Sequence, residues 1–246
     1  MRKALKIIGL LLLLIIAGGG IYLWSLSQPI PEGTSGKQAD LLAKKMMAAV
    51  NKVAWDTTKV VQWTFRDEHD FVWDKQNEFV EVKWEDNRVL LHSKEAKGIA
   101  YVSDVEVNGD DKKPLIETAW SHFCNDAFWL NAPTKAFDPG TSRSLVKNED
   151  GSESLLVRYS SGGVTPGDTY LWHLGKSGKP KSWQMWTFIP IDGIEVTWED
   201  WTTLSSGAAF AQNHFLGSVN IGISNAKSAE SLEGLGLDEG LFDVLK

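Results

Sequence analysis

The spacing of apolar and polar positions changes along this chain, and each change marks an element. Arg2, Lys3 and Lys6 precede an uncharged run of 18 residues from Ile7 to Trp24, IIGLLLLLIIAGGGIYLW. A helix of that length rises roughly 27 Å, close to the hydrocarbon thickness of a bilayer. Gln28 to Gly36, QPIPEGTSG, reads as a linker, because its prolines and glycines suit no regular element. From Lys37 to Ala54 the apolar residues Leu41, Leu42, Met46, Met47, Val50, Val53 and Ala54 recur at helical spacing. Lys44, Lys45, Asn51 and Lys52 point away from them, and Ser35 stands where a cap belongs.

From Trp55 the period becomes two. Val61, Trp63 and Phe65 alternate with Gln62, Thr64 and Arg66, and Phe71 and Trp73 follow. Val80, Val82 and Trp84 alternate with Glu81, Lys83 and Glu85. Val89 and Leu91 continue after a turn, and Ile99, Tyr101, Val105 and Val107 share one face of a further strand. This is an antiparallel meander. Asp111 to Asn131 interrupts it with a helix whose apolar face carries Ile116, Ala119, Trp120, Phe123, Ala127 and Trp129; Pro114 suits its first turn. Strands then resume. Asp150-Gly151 signals one hairpin, Gly175 to Gly178 joins a second (Thr169–Leu174 with Lys181–Ile189), and Ile194, Val196 and Trp198 form a last strand. A short strand at Val219 to Ile223 and a terminal helix from Leu237 to Leu245 complete the pattern.

The two β-blocks, about Trp55 to Gly109 and Arg143 to Leu204, are each too small to bury their own aromatics. The pattern therefore predicts one α+β domain over 37–246: a single antiparallel sheet of about nine strands, curved into a half-barrel around one or two apolar helices. Residues 1–27 are a signal anchor or a cleaved signal peptide, and 28–36 the linker. A run this long favours the anchor, whereas Ser25 and Ser27 would permit cleavage after Ser27. Positive charge before the run and acidic character after it place the remainder outside the cytoplasm, periplasmic in a cell with two membranes, with Tyr22 and Trp24 at the interface.

Composition sharpens this picture at two points. Net charge is −7, and the three basic residues before the apolar run contribute +3, so the remainder carries −10. Such a domain repels phosphates, which argues against nucleic acid as a partner. Tryptophan is in excess, with 12 Trp against 4 Tyr. In the strand from Lys181, Trp183 and Met185 lie on one face while Trp186 and Phe188 lie on the other, so both faces must be covered. Rigid rings on a concave sheet leave interstices, and the expected cavity is lined by Met46, Met47, Trp63, Trp84, Trp120, Trp129, Trp186 and Trp198. A Trp-rich core with no cavity is the plain alternative.

Reactive groups are sparse. No G-x-S-x-G elbow, P-loop or G-x-G-x-x-G is present. Glu195 and Glu199 share a strand face about 13 Å apart, too far for glycosidase carboxylates. Cys124 is the sole cysteine and, among Phe123, Phe128 and Trp129, reads as a buried hydrophobe rather than a nucleophile paired with His122. Arg66-Asp67-Glu68-His69-Asp70 with Asp74 reads first as a solvated turn. A cation site on Asp67, Asp70 and Asp74, or an acid/base pair with His69, are the sharper alternatives. Zinc spacing is not evident, since no two histidines lie four apart and there is one Cys. The reading is non-enzymatic, with neither cofactor nor metal.

The order of segments, the Trp-rich strands, and the stretches WTFRDEHDFVWD (Trp63 to Asp74) and FVEVKW (Phe79 to Trp84) resemble the LolA-like half-barrel superfamily of periplasmic lipoprotein carriers and exported relatives. The resemblance covers about residues 37 to 204. It implies a curved sheet and inner helices that enclose acyl chains of lipids or lipoproteins, and it carries no ligand residue over by position. Two departures stand out: the carriers are soluble after signal cleavage, and no arginine here matches a lid latch. The functional expectation is an anchored extracytoplasmic domain binding acyl chains through residues of an apolar cavity, attached to the membrane through residues 7–24. A structural or interaction module of the cell envelope is the alternative.

Overall fold

The computed structural model describes residues 25–246. The run at 7–24, with the anchor assigned to it, lies outside them. Among the described residues no helix is long and apolar enough to cross a membrane.

Among the described residues, three α-helices and sixteen strands make up an α+β architecture. Helix α1 spans Lys37–Ala49 and α2 spans Lys52–Thr57. The periodicity predicts one helix through Ala54, but Asn51 takes a left-handed backbone (φ 54°) and breaks it. The same Asn51 caps α2 by accepting from the Ala54 amide, at 3.3 Å. Ser35 is not the cap of α1; Gly36 holds that position, and the Ser35 hydroxyl lies 2.9 Å from that of Ser144.

A large, curved antiparallel sheet has the order β16-β1-β2-β3-β4-β5-β6. Its strands are β1 Val60–Phe65, β2 His69–Asp74, β3 Phe79–Trp84, β4 Asn87–His92, β5 Gly98–Val102, β6 Val105–Val107 and β16 Ile223–Ala229. The expected strand through Ile99 and Val107 is thus a hairpin, turned by Ser103 and Asp104, both at positive φ. The 20-residue α3, Lys112–Asn131, follows and packs against β3, β4 and β5. A second sheet has the order β11-β10-β9-β8-β7, from β7 Thr141–Lys147, β8 Glu153–Tyr159, β9 Thr169–Leu174, β10 Pro180–Trp186 and β11 Ile194–Thr197. Helix α1 lies on β7 and β8. Arg143 holds it there, donating from Nε to Asp40 Oδ1 at 2.7 Å.

The single sheet of about nine strands is therefore not what forms. The break falls at Trp198. Thr197 ends β11, Asp200 has φ 53°, and the chain continues as a separate ribbon of β12 (Glu199–Thr203) and β13 (Ala209–Asn213). A second small ribbon, β14 Phe215–Leu216 with β15 Val219–Asn220, follows. These ribbons bridge the two sheets, since β14 lies against β11 and β13 against β16. The barrel stays open.

One core serves both sheets. Val61, Trp63, Val80 and Val82 from the first, Ala119, Phe123 and Trp129 from α3, and Trp172, Trp183 and Trp198 from or beside the second form one buried cluster. The opposite face of the large sheet is covered by the C-terminal tail, where Leu232 and Phe242 pack on Val60, Val72, Phe79 and Leu90. The terminal helix expected over Leu237–Leu245 is reduced to a 3-10 turn at Asp243–Leu245.

The linker is a docked segment rather than a free tether. Thr34 and Leu145 exchange backbone hydrogen bonds at 2.8 and 2.9 Å. The Gln28 amide donates to Asp192 O at 2.8 Å, and Trp186 Nε1 donates to Gln28 O at 2.7 Å. Ile30 packs on Val146, Leu156, Leu171 and Trp186. This covers the second apolar face of β10 that the sequence left open.

Candidate functional site

The residues expected to line one cavity fall into two places. Met46, Trp63, Trp129 and Trp198 are buried in the common core, and Met47, Trp84 and Trp120 pack partly buried against it. Trp186 faces the other side of the second sheet, apart from the other seven. The strand period explains this, because Trp186 is three positions from Trp183 and so points oppositely.

The interior rings touch one another. Trp183 is the hub, with centroids 4.5 Å from Tyr170, 4.7 Å from Trp172, 4.8 Å from Trp129 and 5.0 Å from Trp198. Trp63 stacks on Phe71 at 4.5 Å. These are contact distances for aromatic pairs, so around these rings the expected interstices are closed. The polar cost is visible: the indole N–H groups of Trp63, Trp73, Trp172, Trp183 and Trp198 are buried without a hydrogen-bond partner. Each such group costs about 1–3 kcal/mol. His214 completes the cluster, 4.3 Å from Trp198 and 5.2 Å from Trp129, with neither ring nitrogen in a formed hydrogen bond. Burial lowers its pKa to about 3, against a smaller upward pull from the backbone of Thr197 and Ala211. Burial also pushes the Tyr159 and Tyr170 hydroxyls up.

On the other face lies an open groove of about 660 Å³. Its walls are the docked linker (Gln28, Pro29, Ile30), the loop from Val164 to Asp168, and the segment from Trp186 to Asp192. The volume falls within the range of small-molecule sites, roughly 300–1,000 Å³. Strand β10 ends at Trp186, short of the expected Ile189, and this releases Phe188 into the loop, where it is 97% exposed. Val164 is exposed as well. Two acids border the groove, Asp168 and Asp192. Asp168 accepts from Thr165 Oγ1 at 2.7 Å and from the Tyr170 hydroxyl at 3.1 Å, yet burial raises its pKa.

The acidic stretch does not assemble a carboxylate site. Asp67 accepts from Ser224, Asp70 from Thr64 and Asp74 from Asn77, so each is committed to a different neighbour. His69 pairs with neither Asp67 nor Asp70. Its Nδ1 donates to Asp126 Oδ2 at 2.7 Å, on α3. His122 joins them, its ring centroid 3.9 Å from that of His69. His122 and Asp126 are four apart on one helix face, a spacing legible in the sequence once carboxylates are counted with histidines as possible partners. Cys124, on the same helix, is a weakly acidic thiol, its pKa pushed up to about 11 by burial, which fits a packing role.

No protein-family model matches this sequence, and no curated protein matches it. Among solved structures the chain is similar to a DUF1329 family protein from Desulfovibrio piger, at 12% identity and a TM-score of 0.44, over 83% of this chain and 99% of that one. It is also similar to an outer membrane lipoprotein-sorting protein domain from Vibrio parahaemolyticus, at 10% identity and a TM-score of 0.37, over 82% of this chain and 98% of that one.

Proposed function

We propose that this protein is a membrane-tethered, extracytoplasmic binding module that takes the acyl chains of a lipid or lipopeptide into the groove beside Trp186 and holds them without converting them. The position of that groove carries the reading. Trp186 is hydrogen-bonded to Gln28, and Gln28 stands four residues beyond Trp24, where the uncharged run ends. Four residues reach at most about 14 Å. With residues 7–24 in a bilayer, the groove and the exposed Phe188 lie at its surface, and an acyl chain passes between them with little exposure to water. Burial of apolar area, worth roughly 25 cal/mol per Å², drives binding. Asp168 and Asp192 oppose anionic headgroups there, so the chain rather than a phosphate is recognised.

A second site is favoured by one observation. The five unpartnered indole N–H groups give the interior buried donors that lack acceptors, which suits ester or amide carbonyls of an acylated ligand if α3 parts from the sheet. A photoreactive acyl phosphatidylcholine, presented with the full-length protein in nanodiscs, separates the two. Crosslinks within 164–168 and 186–192 support the groove, and crosslinks at Trp129 or Trp183 support the interior. Phe188→Ser, at a side chain that the fold does not bury, is expected to weaken groove labelling about tenfold, the loss of one apolar anchor. Unchanged labelling would remove the groove from consideration.

A further inference from the structure

The strand β2 and the helix α3 bring together three groups that the acyl-binding reading does not use. We infer that His69, His122 and Asp126 form a binding site for a divalent transition-metal ion of the zinc class, with two imidazoles and one carboxylate as protein ligands. One ligand atom from each residue lies within 4.8 Å of the others. His122 and Asp126 come from adjacent turns of α3, and His69 from the first position of β2, so the donor set spans two rigid elements.

Three features argue for a cation rather than a simple hydrogen-bonded pair. The Asp126 carboxylate is nearly fully buried, with 2% of its side chain exposed, and its hydrogen-bonding partners are His69 and the Asn125 amide. A positive charge beside a buried carboxylate offsets the cost of taking it out of water. Second, the His69–Asp126 pair does not account for His122, which meets His69 ring to ring. Third, the outer shell is built: Asn125 Nδ2 donates to Asp126 Oδ1 at 2.8 Å and orients the carboxylate, while Trp84 meets His122 edge-on at 5.4 Å.

The present 2.7 Å contact between His69 Nδ1 and Asp126 Oδ2 holds a proton. Tetrahedral zinc bonds of about 2.0–2.1 Å set their ligand atoms roughly 3.3 Å apart. An ion therefore replaces that proton after an opening of about half an ångström. Three protein ligands leave a coordination position for water or a further ligand. Two imidazoles with a carboxylate suit zinc and also ferrous iron, and exclude the hard cations that prefer all-oxygen sites.

The test is a titration of the full-length protein, in detergent and stripped by a chelator, with Co(II) followed by Zn(II). The site predicts one equivalent of bound Co(II), visible d–d bands of a low-coordinate ion, and loss of those bands on adding one equivalent of Zn(II). His122→Ala, at a half-buried position, is expected to lower affinity at least tenfold. Asn125→Ala is expected to lower it by about ten- to a hundredfold through misorientation of Asp126. Asn125 is exposed on the helix, so this variant keeps the test valid should His122→Ala fold poorly. His92→Ala, away from the cluster, is expected to change nothing. The absence of saturable binding, or binding equally tight in the His122→Ala and Asn125→Ala variants, overturns the assignment.

Discussion

Trp183→Ala is expected to destabilise the folded domain by about 3–5 kcal/mol, the range for removing a large aromatic from a core. Trp183 is 1% exposed and touches rings from three directions: Tyr170 and Trp172 on β9, Trp129 on α3 and Trp198 at the sheet break. Its neighbours are themselves held by ring contacts, so the void cannot collapse locally. Chemical denaturation followed by far-UV circular dichroism measures the loss. A cost below about 1 kcal/mol would mean that the ring cluster does not join the two sheets. Trp186→Ala is a useful contrast, because it opens the small outer cluster and removes one of the hydrogen bonds that hold Gln28 while leaving the common core intact.

The second large effect is on acid stability. His214 is buried without a formed hydrogen bond, and its pKa is lowered from 6.5 to about 3. The unfolded chain takes up a proton near pH 6.5, whereas the folded one refuses it until about pH 3. The contribution is therefore intact above pH 6.5 and falls as the pH drops, with a slope of about 1.4 kcal/mol per pH unit. Acidification from pH 6.5 to 4.5 is expected to cost about 2–3 kcal/mol through this residue alone. His214→Leu removes the titrating group at similar volume, and its stability profile is expected to be flatter over that range. Parallel profiles for the two proteins would show that His214 is hydrated or paired in solution.

Much of the fold was legible because two-residue periodicity and turn chemistry are local. Val80, Val82 and Trp84 against Glu81 and Lys83 identify β3, and Asp150-Gly151 locates the turn between β7 and β8. The failures are non-local or conformational. Nothing in the alternation of Ile194, Val196 and Trp198 announces that the chain leaves the sheet at Thr197. Asn51 ends α1 through a left-handed backbone that apolar spacing does not encode. Pairing of β16 with β1 joins residues more than 150 positions apart, and a single sequence holds no signal for it. The docked linker was hidden for a similar reason: QPIPEGTSG has a loop's composition whether or not it is bound to a sheet edge.

The candidate sites show the same division. Trp186 lies on the face opposite Trp183, as alternation requires, whereas Phe188 falls beyond the end of β10, and the partner of that face lies nearly 160 residues away, at Ile30 and Gln28. His69 stands among acids in the sequence, at Asp67, Glu68 and Asp70. Its actual partner, Asp126, sits on the helix that crosses the sheet, 57 residues later. A sequence pairs neighbours by default, and packing pairs them by topology.

Native mass spectrometry of the full-length protein, extracted gently from its own cells, decides whether an acyl chain is bound. The expected result is a protein mass accompanied by an acyl-bearing adduct that dissociates on collisional activation, and a marked loss of that adduct in the Phe188→Ser variant. A bare protein mass under the mildest conditions that keep the fold, with no adduct on exposure to acylated lipid or lipopeptide, would contradict it.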